Sequence, residues 1–124
     1  SFSLPVIISL LSMKTGVLLI ENPEAHLHPA AQSALGKLIA KAAASGKQII
    51  VETHSDHIID GIRIASKNNE IEKEDISILF FDRPKTDEPT NIKTISVLEN
   101  GKLSEWPNNF FDQNIKDKAV LIRH

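Results

Sequence analysis

The sequence predicts an α/β domain, and two patterns carry that reading. Val17-Leu18-Leu19-Ile20 and Gln48-Ile49-Ile50-Val51 are short continuous apolar runs bounded by turn residues, as expected of strands buried on both faces. A stretch with helical periodicity follows each run, and a right-handed crossover of this length between apolar strands implies parallel pairing with helices packed on the sheet. At 124 residues, with 41% hydrophobic and 24% charged side chains, the chain fits one globular domain, 1–124. Within it, 1–69 holds the alternating units and 70–124 the C-terminal strands and tail.

The elements follow in order. Pro5 suits a first helical turn, and Val6, Ile7, Leu10, Leu11 and Met13 give a nearly all-round apolar helix at about 4–14, ending at Thr15-Gly16. Its opening at Ser1, inside an apolar pattern, is what a piece of a longer chain would show. The first strand, Val17–Ile20, runs into Glu21-Asn22-Pro23. From Pro29 to Ser45, Ala31, Ala34, Leu35, Leu38, Ile39 and Ala42 recur at helical spacing opposite Gln32, Lys37 and Lys41, and Gly46 stops the helix. After the second strand, Ser55 caps a helix to about Lys67 whose inner face carries Ile58, Ile62 and Ala65.

Glu70 to Asp75 reads as a turn or short helix, Ile76–Phe81 as a strand, and Arg83–Asn91, with two prolines, as a loop. Ile92–Leu98 alternates as a half-exposed strand, Glu99-Asn100-Gly101 marks a tight turn, and Lys102-Leu103 begins a return, so this end of the sheet turns antiparallel as a hairpin. From Asn109 onward, Ile115, Ala119 and Ile122 are spaced as in a final helix.

Composition removes several chemistries. A net charge of −2 gives no global reason to bind nucleic acid or an anionic membrane. With no cysteine there is no disulfide framework, thiolate zinc site or thiol nucleophile, which fits a cytoplasmic protein. The most apolar segment, Leu4–Leu11, falls far short of the ~20 residues that span a bilayer.

Chemistry gathers where the two apolar strands end. One end reads Glu21-Asn22-Pro23-Glu24-Ala25-His26-Leu27-His28-Pro29, the other Glu52-Thr53-His54-Ser55-Asp56-His57, and together they hold four of the five histidines. Functional groups of open α/β sheets collect at such carboxyl ends, beside helix N-termini. If both strands share one sheet, Glu21, Glu24, His26, His28, Glu52 and His54 converge on one edge, and if the loop is extended His26 and His28 project to the same side. A single carboxylate at a strand end is ordinarily solvated or a cap; the joint pattern is harder to assign to packing.

These motifs resemble the Walker B and H-loop halves of prokaryotic ABC-type P-loop ATPases. The closest group is the AAA-labelled stand-alone ATPases with a C-terminal domain of unknown function, relatives of the ATPase part of overcoming-lysogenization-defect nucleases. Leu4-Pro5-Val6-Ile7 resembles the start of their post-signature helix, and Trp106-Pro107 with Phe110-Phe111-Asp112-Gln113 their tail.

The resemblance implies a partial P-loop NTPase fold with ATP and Mg²⁺ as cofactors. Glu21 stands at the Walker B acid, which holds Mg²⁺ through water. Asn22 stands where many relatives have the glutamate that activates water; an amide can position water but not take its proton, which puts Glu24 forward as the base. His26-Leu27-His28 occupies the D-loop, which in the family meets the opposite protomer of an ATP-sandwich dimer. His54 matches the switch histidine that reaches the γ-phosphate, with Ser55 and His28 beside the nucleotide. A homodimer or self-association follows, with no membrane partner; an effector nuclease is a family association only.

The phosphate cradle itself, Gly-x-x-x-x-Gly-Lys-Ser/Thr between strand and helix, does not occur; Ser45-Gly46-Lys47-Gln48 lacks the first glycine and the hydroxyl and precedes a strand. The chain alone is therefore expected to be inactive. A divalent-metal phosphoesterase using the His/Glu cluster and a non-enzymatic interaction module are the alternatives. In ATPases of this type the P-loop strand lies between the strands here at 49–53 and 76–81. The gap it leaves is expected to close by direct pairing of those two strands or with a strand from a second copy.

Overall fold

A computed structural model describes residues 16–81, 89 and 91–105, with the backbone of 82 and 118–122. The expected helix at 4–14 and most of the 83–91 loop lie outside the described residues. Those described form β1 (Val17–Glu21), α1 (Pro29–Ala44), β2 (Gln48–Thr53), α2 (Asp56–Lys67), a 3-10 turn (Lys73–Asp75), β3 (Ile76–Asp82), β4 (Asn91–Ser96), a second 3-10 turn (Glu99–Gly101) and β5 (Lys118–Ile122).

One five-stranded sheet runs in the order β1-β2-β5-β3-β4. β1 and β2 are parallel neighbours, with Leu19 opposite Ile50 and Glu21 opposite Glu52, as their apolar runs and the intervening helix predict. The antiparallel return expected around Glu99-Asn100-Gly101 is present as a single bridge, Val97 to Leu103 across the second 3-10 turn, and β4 pairs instead along its length with β3, also antiparallel. The sheet is otherwise less parallel than the sequence implies, because β5 is antiparallel to both β2 and β3.

β5 corrects two expectations. Residues 118–122, whose spacing fits a helix, are a strand, and they fill the place between β2 and β3 that direct pairing or a second copy was expected to close. Local spacing yields here to tertiary demand. β2 and β3 would each leave a row of N–H and C=O groups unpaired, and Ala119-Val120-Leu121-Ile122 has the apolar, β-branched character a central strand accepts. The separation of β3 from β2 by one strand position is as expected.

Both helices lie on one face of the sheet. Alternate strand residues supply the core beneath them: Ile20 from β1, Ile49 and Val51 from β2, Ile76, Ile78 and Phe80 from β3, and Ile95 from β4. α2 contributes Ile58, Ile62 and Ala65 as predicted. α1 turns differently: its buried residues are Leu35, Gly36, Ile39, Ala40, Ala42 and Ala43, while Ala34 is exposed and Ala31 half-buried. The reason is the crossing with α2. A Cβ at Gly36 would fall on the Ile58 carbonyl oxygen, and one at Gly61 on that of Ser33, so the helix backbones touch where these glycines meet. The apolar stripe of α1 is centred on that contact rather than on its larger side chains.

α1 ends as predicted at Gly46, whose φ of 116° is readily adopted only by glycine, and the Ser45 hydroxyl donates to the Ala42 carbonyl at 2.7 Å. Arg63 of α2 donates from Nε to the Gly101 carbonyl at 2.7 Å, which fastens the second 3-10 turn to the helix layer.

Candidate functional site

The carboxyl ends of β1 and β2 lie side by side. Glu21 and Glu52 are register partners on the face away from the helices, Glu21 exposed and Glu52 half-buried. The ladder continues one residue further, where the Asn22 N–H donates to the Glu52 carbonyl at 2.7 Å. At Asn22 the chain turns off the strand with φ 44°, a left-handed conformation that asparagine tolerates better than most residues.

Residues 23–26 then turn, with Leu27 N–H donating to the Glu24 carbonyl at 3.0 Å. His26 sits at φ 65° within this turn and His28 is the extended N-cap of α1, without a side-chain cap bond. The loop is thus folded back, not extended, so the condition under which His26 and His28 would project to the same side is not met. The turn bonds of Ala25 and Leu27 are what bend it.

Two side-chain links join this loop to the end of β2. The Glu24 carboxylate accepts a hydrogen bond from Thr53 Oγ1 at 2.6 Å and another from the His54 backbone N–H at 3.0 Å. Thr53, fully buried, accepts in turn from the Ser55 N–H at 3.0 Å. One helical turn into α1, Gln32 donates from Nε2 to the Leu27 carbonyl at 2.9 Å and accepts from the Ser55 hydroxyl. Ser55 Oγ also accepts from Ile58 N–H at 3.1 Å, so the predicted N-cap of α2 is present and its hydroxyl is engaged on both sides.

Each predicted residue can therefore be placed. Glu21 and Asn22 end β1; Glu24 and His54 are joined through the His54 peptide; Ser55 is buried beneath them as a cap; His26 and His28 are exposed on the loop. Thr53 and Gln32 had no assigned role in the sequence. Gln32 belongs to the polar side of the α1 pattern, but its place in the first turn after a histidine loop brings it back over that loop.

Among the described residues no three His, Asp or Glu side chains gather as a metal cage. The pair Glu21 and Glu52 is a different donor set, one that suits Mg²⁺, which takes one or two carboxylates and keeps most of its waters. No phosphate cradle accompanies it in the sequence.

Thr53→Val keeps the shape of the side chain but removes the donor to Glu24 and the acceptor for Ser55 N–H. It is expected to cost about 2 kcal/mol, since buried polar groups left unpaired carry their full desolvation cost. Urea unfolding of the variant checks this, and a loss within error of zero would mean that the Thr53 links are not formed.

Residues 8–59 match the family model of an AAA ATPase domain, and residues 71–121 match that of a protein of unknown function (DUF3696). The two matches succeed one another along the chain, and they bear out the resemblance to AAA-labelled ATPases that carry a C-terminal domain of unknown function. No curated protein and no solved structure matches the chain. Among the described residues no helix is long and apolar enough to cross a membrane.

Proposed function

We propose that this chain supplies the metal-facing and switch residues of an ABC-type P-loop ATPase site and works with a phosphate-binding loop that its own sequence does not contain. The supporting observation is that the Glu24 carboxylate holds the His54 peptide at the carboxyl edge where Glu21 and Glu52 stand side by side. The AAA ATPase match over residues 8–59 covers all of these groups.

In this reading Glu21, with Glu52 beside it, holds Mg²⁺ through water, and the ion's contribution when bound is to offset phosphate charge. Asn22, at the left-handed exit from β1, orients the attacking water by hydrogen bonding. A carboxylate offers roughly four acceptor positions and Glu24 uses two in the structure. It can therefore fix the His54 peptide and still take the water's proton. His54 lies exposed at the start of the loop into α2, where its ring can donate to a terminal phosphate. Ser55 acts beneath it by holding the loop, and His28 lies at the nucleotide-facing rim.

ATP turnover tests the reading, measured on this chain alone and on a longer chain that carries a phosphate-binding loop ahead of residue 1. The chain alone is expected to show none, because nothing positions the phosphates. In the longer chain Glu21→Gln should lower kcat by about 100-fold, and His54→Ala should lower kcat far more than ATP affinity, as for a group acting in the transition state. Equal losses of binding and turnover in His54→Ala, or turnover by this chain alone that Glu21→Gln abolishes, would overturn the proposal.

A further inference from the structure

The loops that leave β1 and β2 are joined twice, and the second joint is made by a side chain with no part in the chemistry above. The Glu24 carboxylate makes the first, to Thr53 Oγ1 and to the His54 N–H. Gln32 makes the second: its Nε2 donates to the Leu27 carbonyl at 2.9 Å and its Oε1 accepts from the Ser55 hydroxyl. On the first loop the joints fall at Glu24 and Leu27, either side of His26, which has a φ of 65°. On the second they fall at the His54 N–H and at Ser55, either side of the residue that carries the His54 ring. A loop held at one point can still rotate about it, whereas a loop held at two keeps its orientation.

We propose that Gln32 is a positioning residue, whose amide fixes the loop carrying His26 against the loop carrying His54. Its bonds form one directed chain. The Ile58 N–H donates to Ser55 Oγ at 3.1 Å, the Ser55 hydroxyl donates to Gln32 Oε1, and Gln32 Nε2 donates to the Leu27 carbonyl. Every donor points the same way, so each bond polarises the next. A hydroxyl has a single proton, and here Gln32 receives it, so the amide also determines which way the Ser55 cap faces.

The side chain starts from fixed backbone. The Gln32 N–H donates to the His28 carbonyl at 2.9 Å, and one turn further along the same face lies Gly36, where α1 and α2 touch. Helical side chains lean toward the N-terminus, which carries this amide back over Leu27. The residue type also matches the joint. One end must donate to a carbonyl while the other accepts from a hydroxyl, and an amide does both without charge, where glutamate or lysine supplies only one of the two.

The consequence for catalysis rests on the ATPase reading. A group that acts on a transferring phosphate loses about 100-fold in rate when it is misplaced by about 1 Å. Without Gln32 the Glu24 carboxylate still tethers the His54 peptide, so the loop stays attached while its orientation relaxes. The loss is therefore expected in turnover rather than in folding or ATP affinity.

Amide exchange in this chain, read residue by residue, tests the joint without nucleotide. Gln32→Leu is expected to accelerate exchange at Leu27 and Ile58 at least about tenfold and to leave Val51 and Ile78, both fully buried in the sheet, unchanged. Gln32→Glu separates the two halves. It keeps the acceptor for Ser55 and loses the donor to Leu27, so Ile58 should keep its protection and Leu27 should lose it, although a negative charge near the N-terminus of α1 favours the helix. In the longer chain that carries a phosphate-binding loop, Gln32→Leu should lower kcat at least about tenfold and leave ATP affinity within about twofold. Unchanged exchange at Leu27 and Ile58, or equal acceleration throughout the sheet, would overturn the proposal, as would an unchanged kcat where Glu21→Gln abolishes turnover. Turnover insensitive to Glu21→Gln would count against the ATPase reading instead, and the exchange pattern of this chain would still decide the role of Gln32.

Discussion

Gly61→Ala is expected to destabilise the protein by about 3 kcal/mol, although it replaces the poorer helix former with the best one. Intrinsic propensity alone would favour alanine by about 1 kcal/mol. The opposing effect is geometric. The new Cβ would fall on the Ser33 carbonyl oxygen and come within 3.1 Å of the Gly36 Cα, both backbone atoms with no rotamer to escape through. The helices must part, and the seam they close holds Leu35, Ile39, Ile58 and Ile62, each no more than 1% exposed. Overpacking of this kind typically costs about 1–3 kcal/mol, and more where backbone has to move.

Two comparisons identify the mechanism. Ala34→Gly, on the exposed side of α1, should cost about 1 kcal/mol by propensity alone. Gly36→Ala combined with Gly61→Ala should cost clearly less than the sum of the single changes, because one parting of the helices accommodates both methyl groups. Urea unfolding monitored by circular dichroism gives all four values. An unchanged or raised stability in Gly61→Ala would show that the helices do not meet at these glycines.

The same pair of glycines shows where sequence reading succeeds and where it stops. The two apolar strands, the two amphipathic helices, the Ser55 cap and the turn at Glu99-Asn100-Gly101 are legible because local patterns of period 2 and 3.6, a cap and turn residues determine them. The face of α1 is not legible in the same way. A count of apolar side chains places Ala34 inside, yet the closest approach to α2 is made at Gly36, which has no side chain to count. Residues 118–122 fail for a different reason. Their spacing suits a helix, and only the vacancy between β2 and β3, set by residues tens of positions away, makes them a strand.

At the candidate site the residue types were legible and the links between them were not. Glu21 and Glu52 fall side by side because each occupies the same place after an apolar run, and the parallel register preserves that equivalence. The bonds from Thr53 and the His54 peptide to Glu24 span about thirty positions and depend on the loop turning back at Asn22 and His26. Nothing in the composition of that loop reports two left-handed residues, neither of them glycine. Gln32 likewise is an ordinary polar residue in the helical pattern until the folded loop places the Leu27 carbonyl over it.

Val120→Pro is expected to cost at least about 3 kcal/mol and to open the sheet at its middle. Val120 is opposite Val51 of β2 on one side and Ile78 of β3 on the other. In an antiparallel ladder the N–H of a residue points to one neighbour, but β5 is bordered by a strand on each side, so whichever way the Val120 N–H points, proline removes a sheet bond. The carbonyl that loses its donor is then buried and unpaired, and the proline ring cannot lie flat against the adjoining strand. Asn91→Pro is the matching control, because the first residue of an edge strand tolerates proline, and it should cost no more than about 1 kcal/mol.

Beyond the loss of stability, Val120→Pro should accelerate amide exchange in both β2 and β3 while sparing the pairing of β1 with β2. It should also make the protein associate at higher concentration, since two newly exposed strand edges are templates for pairing between chains. Exchange read residue by residue, with light scattering across a dilution series, provides both measurements. If Val120→Pro proves no more harmful than Asn91→Pro and leaves exchange in β2 and β3 unchanged, residues 118–122 do not occupy the place between them.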